Sequence, residues 1–382
     1  MAFEYKGLNV LDGKSYSVTV DSGVVTDVKE CKDALDNFYI CPGGLIDTQV
    51  NGALGYNYTG KDLTLEQIRK VCDELSRQGT FQHFATIVTG PQDVIVENLD
   101  KLTKAIETDP VVAHSITGIH IEGNFISRLD GPRGAHDLRY VRDASIEEFD
   151  QWFEHSKGLL KYITIGAEAN GAVDLIRHAT QKGVAVALGH TGATREQIDK
   201  AVDVGASLST HLGNGVFAKL DRFENPIWPQ LRNEGLTTGL IADGDHVTPD
   251  LVWVISKCKD SDHIILVSDL HSCAGLPPGR RMEGPLEIEI FEDAAVRVAG
   301  TPYLAGAGVH LLRCIWNYAK FSKTDKVAAF KLGTINPIRK YNLDPKRAKL
   351  QKGKKADFIV CSDNGKKYEL KAVYADGRAI VS

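Results

Sequence analysis

The chain has 382 residues, 43% of them hydrophobic and 25% charged, with a formal net charge of −5. That composition supports a large folded core, excludes a disordered or collagen-like chain, and offers no basic excess for a nucleic-acid partner. Seven cysteines without a CxxC pair exclude a disulfide framework and a thiolate zinc finger, and no stretch reaches the roughly 18 uninterrupted apolar residues of a membrane helix. Residues 1–8 lack a leader-like apolar core, so a cytoplasmic protein with no membrane partner is expected.

In chain order, residues 7–11, 15–20 and 24–28 read as short strands around the Asp21-Ser22-Gly23 turn signal, with no helical period. The centre then alternates. Strand-like runs at 44–47, 84–88, 116–120, 162–165, 184–188, 206–209, 238–242 and 264–267 are separated by helical patterns such as 65–78, 91–108, 173–182, 195–204 and 250–257. Eight strands alternating with helices predict a (β/α)8 barrel, whereas a doubly wound sheet would carry GxGxxG after its first strand, which Gly52-Ala53-Leu54-Gly55 does not match. Short strands return at 357–361, 370–374 and 379–381. The expected architecture is α/β: a TIM-type catalytic barrel over 42–342 and a small β-sandwich built from both termini, residues 1–41 plus 343–382.

Four of these runs end on residues that bind metals or move protons: Ile119-His120-Ile121-Glu122, 184 to His190, 206 to His211, and 264 to Asp269. In a parallel barrel such groups project from the carboxyl ends of different strands and converge at one mouth. Singly, each is more often a hydrogen-bonded core residue. Together, Glu122, His190 and His211 make a Glu-His-His ligand set for one divalent metal, and Asp269 is the candidate acid/base, since a carboxylate beside such a cation can take a proton from water and return it to a leaving amine. Zinc is the first choice, with iron and manganese compatible with the same ligands.

The chain resembles the amidohydrolase superfamily, and within it the N-acetylglucosamine-6-phosphate deacetylases. The resemblance rests on Pro42-Gly43-Gly44-Leu45-Ile46-Asp47-Thr48-Gln49-Val50-Asn51-Gly52, Ile119-His120-Ile121-Glu122-Gly123, Gly189-His190-Thr191, Thr210-His211-Leu212-Gly213-Asn214, residues 241–247, Leu304-Ala305-Gly306, Asn336-Pro337 and residues 353–357. It implies Glu122, His190 and His211 as ligands and Asp269 as acid/base, and places His136 beside the scissile carbonyl. Many amidohydrolases carry His-x-His after the first strand for a second metal. Gln49 and Asn51 stand there in this chain, so one metal per subunit is expected, with Gln49 a polar group near the substrate.

The same resemblance implies a phosphate site from Asn214, Gly215, Arg222 and His246, and a homodimer in which Arg222 and His246 reach the neighbouring subunit. Departures from the family pattern fall at Asn124, at Leu270-His271-Ser272-Cys273 and at Gly306-Ala307-Gly308, so Asn124, His271 and Leu304 are marked as pocket lining of uncertain effect. The expected activity is removal of the N-acetyl group from an amino-sugar phosphate, N-acetylglucosamine 6-phosphate first. Its rivals are hydrolysis of another N-acyl sugar, an N-acyl amino acid or a cyclic amide, and a non-catalytic sugar-binding barrel.

Overall fold

Strands buried on both faces read as continuous apolar runs, because helices must cover a parallel sheet on the outside while side chains fill it within. The structure is a computed structural model that describes residues 2–32, 37–283, 286–301 and 303–381. Its main sheet has eight strands: β1 Leu45–Val50, β2 Thr80–Val88, β3 Ile116–Glu122, β4 Leu160–Ile165, β5 Ala185–Leu188, β6 Leu208–Ser209, β7 Thr237–Leu240 and β8 Ile264–Leu266. They lie side by side in chain order and all pair in parallel. A parallel bridge between Val50 and Leu270, with Asn51 N donating to Leu270 O at 2.9 Å, brings the first strand against the chain that leaves the last.

Between the strands run α1 Leu65–Arg77, α2 Gln92–Thr108, α3 Pro110–Ser115, α4 Ile146–His155, α5 Ala172–Gln181, α6 Arg195–Asp203, α7 Ile227–Arg232 and α8 Pro249–Cys258, with α9 Leu311–Ser322 following. The first shows why these segments are helical. Thr64 and Gln67 form a reciprocal capping box, and Ile68, Val71, Cys72 and Leu75 repeat on one face, which is buried. Within the barrel, Ile46, Phe84, Tyr162, Ala187 and Leu208 from five strands pack into one apolar cluster with Ile338 and Leu343, so the interior is filled.

Both termini enter a single seven-stranded sheet, in which residues 38–42 pair antiparallel with residues 358–362. Alternation with period two divides its side chains. Ile40, Phe358 and Val360 join Val18, Val20 and Val25 in a core of their own, whereas Tyr39, Cys41, Ile359 and Cys361 pack with α9 residues against the barrel.

Helix limits match the sequence expectations to about one residue. The strands differ more: β1 runs on to Val50 and so carries Gln49, β6 is two residues long, and the first terminal strand spans Ala2–Asn9 rather than 7–11. A four-stranded antiparallel sheet, Gly279–Glu283, Leu286–Ile290, Ala295–Val298 and Leu304–Ala307, was not anticipated. The alternation Leu286, Ile288, Ile290 against Glu287 and Glu289 was its signal. Among the described residues no helix is long and apolar enough to cross a membrane.

His83, fully buried in β2, has Tyr58 Oη 2.8 Å from Nε2 and Ser115 Oγ 3.2 Å from Nδ1. Burial pushes its pKa from 6.5 down to about 3. The unfolded chain therefore takes up a proton below 6.5 that the folded chain refuses until about 3, and this ring lowers stability as pH falls through that window. Urea unfolding at pH 7 and pH 5 is expected to show an acid loss about 2 kcal/mol smaller in His83→Gln than in the parent. Equal losses in the two proteins would contradict the assignment.

Candidate active site

Parallel register levels the strand ends. Glu122, the last residue of β3, pairs with Val88 on one side and Thr164 on the other, and Leu188 pairs with Ile165 and Ser209. His190 and His211 each lie two residues beyond β5 and β6, and Asp269 three beyond β8. All three adopt left-handed backbone conformations, with φ of 48°, 29° and 52°. Such conformations cost roughly 1–3 kcal/mol each in non-glycine residues and persist where the surroundings determine them, as at sites.

The side chains meet. Glu122 Oε1 lies 2.9 Å from His211 Nε2 and 3.3 Å from His190 Nε2, the two imidazole nitrogens are 3.1 Å apart, and His136 Nε2 is 3.2 Å from His190 Nε2. His190 Nδ1 donates to Pro132 O at 2.9 Å, which leaves the Nε2 lone pair facing Glu122 and His211. Two acceptors in contact need a positive charge between them. Donor atoms at these separations fit the edges of a shell with bonds of about 2.0–2.2 Å, so the residues present suit a divalent ion. Glu122, His136 and His190 group in the same way, and the distances do not separate His136 from the expected ligand His211.

Burial alone would raise the Glu122 pKa, but the His190 and His211 rings beside it outweigh burial and hold the carboxyl well below its usual range. The His211 pKa is raised because its bond to Glu122 outweighs burial. Asp269 moves the other way: burial, then the charge of Glu122, raises its pKa and favours holding a proton. Gln49 Nε2 bridges the two carboxylates, donating to Glu122 Oε2 at 2.9 Å and to Asp269 Oδ1 at 3.2 Å, and Asn51 Nδ2 adds a bond to Asp269 Oδ1 at 2.8 Å. Both amides thus orient acids.

Asn214 donates to His211 O at 3.3 Å. At Gly215, φ is +59° and a Cβ would lie 2.9 Å from His190 Nδ1, so only glycine lets the loop pass. His246 Nδ1 lies 2.6 Å from Asp243 Oδ2 within its own chain. Arg222 is exposed and lies over the Phe223 ring.

Asn124, at φ 53°, clamps Gly90 through both ends of its amide, a conformation that proline cannot take. His271 faces Glu283, and Leu304 begins the last strand of the small antiparallel sheet. His120 is fully buried, stacked on Tyr162 at 3.8 Å, and serves the core.

Sequence reasoning missed three supports. Asp47 accepts from Ser268 N at 3.2 Å and from Ser268 Oγ, fixing the residue before Asp269. Thr89 Oγ1 orients His136 Nδ1 at 2.8 Å. Glu168 accepts from Gly192 N at 2.7 Å and from Thr191 Oγ1, bracing the turn at His190.

A model of the Amidohydrolase family matches residues 39–380. An N-acetylglucosamine-6-phosphate deacetylase of Vibrio furnissii is 26% identical over 387 residues, covering 98% of this chain and 94% of that protein. An N-acetylgalactosamine-6-phosphate deacetylase of Escherichia coli O157:H7 is 28% identical over 326 residues, covering 85% and 84%. The crystal structure of the N-acetyl-D-glucosamine-6-phosphate deacetylase of Mycobacterium smegmatis superposes with a TM-score of 0.86 at 25% identity, covering 100% of both chains.

Glu168→Ala is expected to keep the fold and to lower divalent-cation affinity about 10–100-fold, measured by competition with a chelator. Unchanged affinity would show that the brace at Thr191 and Gly192 does not position His190.

Proposed function

The chain belongs to the amidohydrolase family, and from that premise we propose that it hydrolyses the N-acetyl group of a hexosamine 6-phosphate, N-acetylglucosamine 6-phosphate first, giving acetate and the free amine. The observation that carries this reading is the meeting of Glu122, His190, His211 and Asp269 at one rim of a barrel shared with proteins of that activity. Glu122, His190 and His211 would hold one divalent ion, zinc before iron or manganese. Such an ion supplies Lewis acidity, polarising the amide carbonyl and acidifying the attacking water.

The chain's own residues supply the proton path. Asp269 Oδ1 is fixed by Gln49 and Asn51, which assigns Oδ2 to take the proton from water and then to deliver it to the departing nitrogen. His136, with Nδ1 accepting from Thr89, turns an Nε2 hydrogen toward the carbonyl oxygen as negative charge develops there.

Asn214, the Gly215 N–H, Arg222 and His246 would bind the phosphate, Arg222 as a fork of donors. Of the two groups expected to reach a neighbouring subunit in a homodimer, Arg222 lies on an exposed loop and His246 is oriented through Nδ1 by Asp243. A cytoplasmic enzyme suits a phosphorylated substrate.

Acetate release is the test, measured on N-acetylglucosamine, N-acetylgalactosamine and N-acetylmannosamine with and without 6-phosphate, beside N-acetyl amino acids. Turnover confined to a 6-phosphate is expected; turnover only of phosphate-free or amino-acid substrates would overturn the reading. Asp269→Asn should retain bound metal and lose turnover by about 10²–10⁴-fold. Near-full activity in that variant would remove Asp269 from the proton path.

A further inference from the structure

The chain that leaves Asp269 carries a second cluster with different chemistry. One ring nitrogen of His271, Cys273 Sγ and one oxygen of Glu283 lie within 4.8 Å of one another. His271 Nε2 is 2.9 Å from Glu283 Oε2, and Cys273 Sγ is 3.7 Å from that same oxygen. The other oxygen, Oε1, accepts from Asn57 Nδ2 at 2.8 Å and from Ser272 Oγ. One face of the carboxylate is therefore anchored, and the other is aimed at an imidazole and a thiol. Cys273 is buried, and the His271 and Glu283 side chains are 14% and 22% exposed, which leaves a way in for a small ion.

A plain ion pair explains only part of this. It accounts for His271 and Glu283, but a thiol adds almost nothing to such a pair. An oriented carboxylate shared by a nitrogen and a sulfur matches what a borderline-soft cation requires, with hydrogen bonds behind the carboxylate doing what outer groups do at metal sites. We propose that His271, Cys273 and Glu283 form a second metal site, specific for a zinc-like divalent cation and separate from the ligands at Glu122, His190 and His211.

Charge and protons balance. With His271 Nδ1 accepting from Cys273 N at 3.2 Å, the cluster of imidazole, thiol and carboxylate carries one negative charge; a divalent ion enters, the thiol releases one proton, and the cluster with thiolate, imidazole and carboxylate is neutral. The three ligands and Asn57 come from three segments: the loop after β1, the loop after β8, and the first strand of the small antiparallel sheet. Binding would pin that sheet to the rim beside Asp269.

The test uses the full chain stripped of metal and titrated with Co²⁺, whose thiolate complexes absorb by charge transfer and whose Glu-His-His complexes lack that band. The wild type is expected to bind two equivalents and to show the thiolate band. Cys273→Ser should bind one and lose the band. Glu122→Gln should lose the other equivalent and keep the band, so failure of the catalytic site and failure of this one are read separately. Glu283→Gln, which keeps the shape of the side chain, should weaken the band-forming equivalent at least tenfold. A wild type with a single equivalent and no thiolate band, meaning an ion pair only, would overturn the proposal, as would a band that survives in Cys273→Ser or an unweakened Glu283→Gln.

Discussion

A carboxylate that is 2% exposed inside a barrel governs the arrangement around it. Removing the charge of Glu122 from water costs several kcal/mol unless partners surround it. The partners come from four places: Gln49 on one oxygen, and His190 and His211 on the other, with His136 behind them. Each is delivered by a different strand or by the loop after one, so the parallel register does more than hold the barrel together. It sets the height at which Gln49 reaches one oxygen of Glu122 and the two histidines reach the other.

The same charge divides labour between two acids. Glu122 is kept ionised by the histidines, and its negative charge in turn raises the pKa of Asp269, which shares Gln49 with it. Two carboxylates a few ångströms apart thus favour different protonation states, one suited to holding a cation and the other to carrying a proton. Asp47 makes this separation rigid from below. Its bonds to Ser268 tie the first strand to the residue before Asp269, across 221 positions of sequence.

Much of the barrel was legible because strands covered on both faces become unbroken apolar runs, and because the helices between them carry capping residues and one apolar stripe. The rim residues were legible as polar endings to those runs. What alternation could not supply was depth: His120 and Glu122 share one face of β3, yet the former stacks on Tyr162 in the core and the latter meets the histidines. The roles of His136, Arg222 and His246 rested on family resemblance, since nothing in their local sequence separates them from ordinary loop residues. Asp47, Thr89 and Glu168 were invisible for another reason, because each acts through a contact that exists only after folding. The left-handed turns at His190, His211 and Asp269 also escaped notice, since no glycine marks them. The sheet over residues 279–307 had a strand signal, but it falls outside the strand–helix alternation that organised the reading.

The most direct measurement is anomalous diffraction from crystals of the metal-loaded protein, collected on both sides of the bound metal's absorption edge. A peak is predicted at the point shared by Glu122 Oε1, His190 Nε2 and His211 Nε2, within about 2.0–2.3 Å of each. Crystals that bind metal yet show no density at that point would contradict the account, because the buried carboxylate would then be balanced by protonated histidines alone.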